Sequence, residues 1–238
     1  MNKHAARRPE LSPHEASGPV RGVALLLPGG SVSSHRRPLR FVEWTLGPLV
    51  SRLLDADGEA GLAVRTLRYR YRGWNGEEAS TLADTLWALE ELRRRYGDVP
   101  VCLVGNSLGG RAAFRAAGHE SVVGVCGVAP WLPPDEPVEQ LASRRVLIVH
   151  GDRDHSEASA AKSLAYAERA RAVAPVARLE VAGANHFLMR RAADFWSVTA
   201  EFVHDTLAGR EPSPLLAHAL AAPDGLRAPL PVGYGGRR

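Results

Sequence analysis

From Gly22 onward the chain alternates, six times over, between a short apolar run and a longer amphipathic stretch, and this alternation restricts the folds open to it. The runs VALLLPGG (Val23–Gly30), LAVRTLRYR (Leu62–Arg70), VPVCLVGN (Val99–Asn106), VVGVCGVAP (Val122–Pro130), RVLIVHGD (Arg145–Asp152) and VARLEVAG (Val176–Gly183) read as strands. Most are apolar at successive positions, as interior strands of a parallel sheet covered on both faces must be. Helical stretches are expected from Phe41, from Glu77, directly after Ser107, from Glu157 and from Met189. Strand and helix in regular alternation imply βαβ units with right-handed crossovers, hence an open α/β sheet in a three-layer section.

At 238 residues with 45% hydrophobic content, the chain can bury one substantial core. Residues 1–20 read as a disordered leader, 21–208 as the folded domain and 209–238, rich in Pro, Gly and Ala, as a flexible tail in which a short helix over Pro214–Ala221 is allowed. The leader has Arg7 and Arg8 but no apolar segment behind them, and no run of about twenty apolar residues follows, so neither a secretory signal nor a membrane span is expected.

The net charge is +4, but the basic residues are dispersed and only Lys3 and Lys162 are lysines. Without a basic stripe or aromatic interleaving, a nucleic-acid partner is not expected. Cys102 and Cys126 lie inside apolar runs and read as inert buried thiols of a reducing, cytoplasmic compartment.

In open α/β sheets, ligands bind beyond the carboxyl ends of the strands. There the sequence offers Gly105-Asn106-Ser107-Leu108-Gly109, a serine between glycines at a strand-to-helix turn. So tight a turn strains the serine backbone, and glycines two residues to either side remove the collisions it would cause. A serine hydroxyl needs a base, and the base a carboxylate. His186 follows the last of the six runs, and Asp154 follows the run before it; Asp152 competes with Asp154. Pro28-Gly29-Gly30-Ser31 ends the first run, so the N–H of Gly30, or less readily of Ser31, could join that of Leu108 in binding an oxyanion, each such donor being worth about 3 kcal/mol of barrier.

With these residues in that order, the chain resembles the α/β-hydrolase superfamily from about Gly22 to Leu207, and within it the small lidless hydrolases grouped with dienelactone hydrolases. The resemblance implies a mostly parallel sheet of about six strands without a cap domain. It implies Ser107 as nucleophile, His186 as base, Asp154 rather than Asp152 as the acid, and Gly30 with Leu108 as the oxyanion hole. Two departures matter: Pro28 stands where a histidine is common, and serine replaces the cysteine of dienelactone hydrolases proper, which argues against dienelactone as substrate. Only Leu132–Arg144 joins the fourth and fifth runs, leaving no room for a cap. The pocket is expected from Ser31, Tyr71, Trp74 and Trp131, with Arg70, Arg72 and His35 nearby and His150 and His155 as loop-packing residues.

The expected activity is cofactor-free and metal-free hydrolysis of a small-molecule carboxylic ester or thioester through an acyl-enzyme, by a monomer or homodimer. The same residues could instead serve a lyase, cyclase or acyltransferase, or a non-catalytic binding protein could occupy the scaffold.

Overall fold

The apolar runs pair with one another because each carries apolar side chains on both faces. In the computed structural model, which describes residues 7–12, 18–39, 44–55, 61–187, 191–222 and 225–236, they form the interior of one sheet. Its strands are β1 (Glu10–Leu11), β2 (Gly22–Leu27), β3 (Leu62–Arg68), β4 (Val101–Asn106), β5 (Val122–Val128), β6 (Arg145–Gly151), β7 (Val176–Val181) and β8 (Ala228–Pro229). Their spatial order is β1-β3-β2-β4-β5-β6-β7-β8, parallel throughout except for β1.

Among the described residues six α-helices cover the sheet: α1 (Gly47–Asp55), α2 (Ser80–Tyr96), α3 (Leu108–Ala116), α4 (Ala160–Ala170), α5 (Ala192–Leu207) and α6 (Pro214–Ala221). Alternation along β2 shows how the layers form. Val23, Leu25 and Leu27 pack with Leu89 and Leu92 of α2, Phe114 of α3 and Tyr166 of α4, whereas Ala24 and Leu26 pack with Leu49 and Leu53 of α1 and Phe195 and Phe202 of α5. Both sides of the sheet are therefore dry, as a parallel sheet requires. Cys102 and Cys126 lie in the second of these layers, fully buried and unbridged, and burial pushes the Cys126 thiol up to about 12.

Among the described residues the sheet has eight strands rather than about six. The additional two come from the segments read as leader and tail: β1 pairs with β3, and β8 with β7. The stretch after Gly209 is not a free tail where it is described, because arginines cap its backbone carbonyls. Buried Arg178 donates to Leu226 O (2.7 Å), Arg171 to Ala219 O (2.8 Å), and Arg191 to Pro231 O (2.8 Å). Asp194 in turn accepts from the Gly235 N–H at 2.9 Å. The helix allowed over Pro214–Ala221 forms, with Pro at its first turn where a missing N–H costs nothing. The expected helix starts at Phe41 and Met189 lie outside the described residues; α1 and α5 are seen from Gly47 and Ala192.

The chain passes from β2 to β3 on one side, then returns across β2 to β4 and proceeds to β5 and beyond. The crossover direction reverses between β2 and β4, and ligands bind where such a reversal opens a crevice. β5 and β6 are joined by a short loop with a single 3-10 turn at Glu139–Leu141, and no cap is inserted there.

Candidate active site

Ser107 stands at the end of β4, beside the end of β2. Its φ of 52° and ψ of −115° are strained for a residue with a Cβ, a conformation costing about 1–3 kcal/mol that its surroundings must hold. Three hydrogen bonds hold it: the Ser107 N–H donates to Val128 O (3.0 Å), while Ser107 O accepts from the N–H groups of Trp131 (2.9 Å) and Arg111 (3.3 Å). The neighbouring glycines are needed for space. A Cβ on Gly105 would lie 2.2 Å from Gly109 O, and one on Gly109 would lie 2.0 Å from Leu27 O.

Two further strand ends bring partners to that hydroxyl. His186, in the turn after β7, has its Nε2 3.0 Å from Ser107 Oγ and its Nδ1 2.7 Å from Asp154 Oδ2. Asp154, after β6, is buried and also accepts from the Ser156 N–H at 2.9 Å. The carboxylate fixes the tautomer: Nδ1–H donates to it, and Nε2 is left to accept the serine proton. Burial opposes ionisation of Asp154, but hydrogen bonds from His150, Ser156 and His186 outweigh it and hold the carboxyl well below the usual range. Asp152 is exposed and spends its Oδ1 on the Gly183 N–H (2.7 Å), so it braces the turn after β7.

Gly30 and Leu108 face one another: a Cβ on Gly30 would lie 2.5 Å from Leu108 Cδ2 and 2.2 Å from Arg72 O. The Leu108 N–H opens α3 and has no intrahelical acceptor. The Ser31 N–H is already committed to Arg72 O at 2.8 Å, which removes it as an oxyanion donor; Ser31 O accepts from the Trp74 N–H at 3.0 Å.

The expected pocket residues divide. Trp131 is half-buried at the end of β5, and Trp74 is almost fully buried. Tyr71 packs edge-on against His35, with ring centroids 5.1 Å apart. Arg70 is bound to buried Asp84 (2.5 Å) and Arg72 Nε to Ser34 Oγ (3.1 Å), so both have structural partners. His155 is exposed.

His150 is more than a packing residue. It is fully buried on β6, with Nε2 3.0 Å from the same Asp154 Oδ2 that His186 reaches. Two imidazoles thus converge on one carboxylate oxygen. As a strand residue four before the aspartate, His150 carried no signal separating it from an ordinary core histidine. Arg111, one turn after Ser107, lies against both Trp74 and Trp131, a contact that its spacing from Ser107 alone does not announce.

Burial lowers the pKa of His150, against the opposing bond to Asp154, with nearby Arg178 and His186 adding to the lowering. The unfolded chain then takes up a proton that the native chain refuses, so stability falls as pH drops below the ordinary imidazole value of about 6.5. His150→Gln, which can still donate to Asp154, is expected to lose less stability over that acid range than the wild type. Thermal unfolding between about pH 5 and 7.5 checks this, and equal slopes for the two proteins would contradict it.

No model of a protein family matches the chain, nor does any curated protein. Solved structures do. A serine hydrolase homologue from Coxiella burnetii aligns over 82% of this chain and 90% of its own, at 18% identity and a TM-score of 0.61. The fold is that of the α/β-hydrolases. A serine hydrolase without a lid from Xanthomonas campestris covers 80% of this chain and 84% of its own, at 16% identity and a TM-score of 0.52. A monoacylglycerol lipase from Paleococcus ferrophilus covers 82% and 97%, at 16% identity and a TM-score of 0.60. In this chain only a short loop with one 3-10 turn joins β5 to β6.

Proposed function

We propose that the protein is a serine hydrolase of carboxylic esters or thioesters, with Ser107 as nucleophile, His186 as base and Asp154 as the orienting acid. The observation that carries this reading is the unbroken run from Ser107 Oγ to His186 Nε2 (3.0 Å) and from His186 Nδ1 to Asp154 Oδ2 (2.7 Å), ending on a serine held at positive φ. A serine in a strained turn, already bonded to an oriented imidazole, has no structural need of either feature.

In the first half-reaction Ser107 Oγ bonds to the acyl carbon as its proton passes to His186 Nε2. Negative charge developing on the carbonyl oxygen is met by the N–H groups of Gly30 and Leu108. His186 then returns the proton to the leaving alcohol or thiol, whose bond to the acyl carbon breaks. In the second half-reaction water attacks the acyl-enzyme, gives its proton to His186, and Ser107 leaves as the hydroxyl. Asp154 stays ionised throughout and stabilises the transient imidazolium. Phe187, 74% exposed and next in the chain to His186, offers an apolar rim for the organic part of the substrate.

Turnover of a series of 4-nitrophenyl esters and acyl thioesters in isotopically labelled water tests the reaction type. Hydrolysis puts one labelled oxygen into the released acid. An unlabelled cyclised, eliminated or transferred product would assign the same residues to a different reaction.

A further inference from the structure

Arg111 lies one helical turn beyond Ser107, on α3. Its Nε donates to Glu136 Oε1 at 2.5 Å, and its guanidinium carbon stands 3.9 Å from the Trp74 ring centroid and 4.6 Å from that of Trp131. The two indoles come from the loops after β3 and β5, which flank the β2–β4 pair carrying Gly30 and Ser107. Both are tied to the site by their backbones, Trp131 N–H to Ser107 O and Trp74 N–H to Ser31 O. The guanidinium therefore bridges the two loops on either side of the nucleophile turn.

Its charge is only partly used. Glu136, with 4% of its side chain exposed, also lies 3.3 Å from Arg115 Nε, so two guanidinium groups share one buried carboxylate and one positive charge remains. Among the described residues neither Nη of Arg111 has a hydrogen-bond partner, and neither is a buried unpartnered atom, so their N–H groups reach accessible space. Arg171 and Arg178, by contrast, spend Nη donors on backbone carbonyls. A guanidinium held against two aromatic rings and one carboxylate, with its Nη donors unspent, is prepared for a second carboxylate.

We propose that Arg111 recognises a carboxylate on the acyl part of the substrate, so that the preferred substrates are half-esters or half-thioesters of dicarboxylic acids. The inference rests on the serine hydrolase reading.

The test compares the 4-nitrophenyl half-ester of glutaric acid with 4-nitrophenyl pentanoate, equal in chain length but uncharged. For the wild type, kcat/KM is expected to favour the half-ester by about tenfold, through KM, with the advantage shrinking at high salt. In Arg111→Gln the ratio falls to about one or below, and Arg111→Lys, which keeps the charge without the fork, recovers part of it. Loss of a merely structural arginine would slow both esters together and leave their ratio unchanged. Calorimetric binding of both esters to the Ser107→Ala protein, with and without Arg111→Gln, makes the same comparison without turnover. Equal binding of the two esters, or a preference that survives Arg111→Gln, overturns the proposal, and turnover of the pentanoate would then leave the hydrolase reading intact. Selective, Arg111-dependent binding without hydrolysis of either ester would uphold the recognition role and overturn the hydrolase reading alone.

Discussion

Ser107→Ala is expected to lower kcat on any ester the protein cleaves by about a millionfold, as loss of the nucleophile does in other triads. The reason lies in how little else Ser107 Oγ does: its hydrogen bond is to His186, while the strained backbone is held by Val128 O and by the N–H groups of Trp131 and Arg111, none of which the substitution touches. Stability should therefore change by no more than about 1 kcal/mol. A folded variant retaining a tenth of the wild-type rate would remove Ser107 from the mechanism, whereas a residual rate somewhat above that in water is expected from the oxyanion donors alone.

Gly109→Ala is expected to act on the fold instead. The new methyl would stand 2.0 Å from Leu27 O and 2.6 Å from Pro28 O, both backbone atoms of the strand end and turn that position Gly30. Either α3 withdraws from β2 or β2 shifts, and a clash of this kind against rigid neighbours costs about 3 kcal/mol or more. Thermal unfolding should show a markedly lower Tm, and the separation of Ser107 from Gly30 should change with it. Gly47→Ala, where no atom lies within 4 Å, is the matched control and should leave Tm nearly unchanged or slightly raised. Equal melting of the two variants would mean that the contact between α3 and β2 is looser than these distances imply.

Much of this was legible in the chain before its structure, for identifiable reasons. β2, β4, β5, β6 and β7 are long apolar runs, so burial on both faces announces them. Ser107, Asp154 and His186 each follow such a run directly, so their meeting could be read from order alone. β1 and β8 span two residues each, too short for any periodicity, and are held by partners remote in sequence. The order after Gly209 depends on arginines 171, 178 and 191 finding carbonyls, which composition read as a bias of the chain cannot reveal. Order along the chain leaves Ser31 open as an oxyanion donor, and only the fold puts Arg72 O on its N–H. Arg111 differs: its place four residues after the nucleophile was visible, but only the fold brings Trp74 and Trp131 against it.

The central claim is that His186 activates Ser107, and fluorophosphonate labelling followed by peptide mass spectrometry tests it before any substrate is known. The result expected is modification at Ser107 in native protein, lost on heat denaturation and in His186→Ala. Well-folded wild-type protein that takes up no label, or that is labelled equally well without His186, would contradict it.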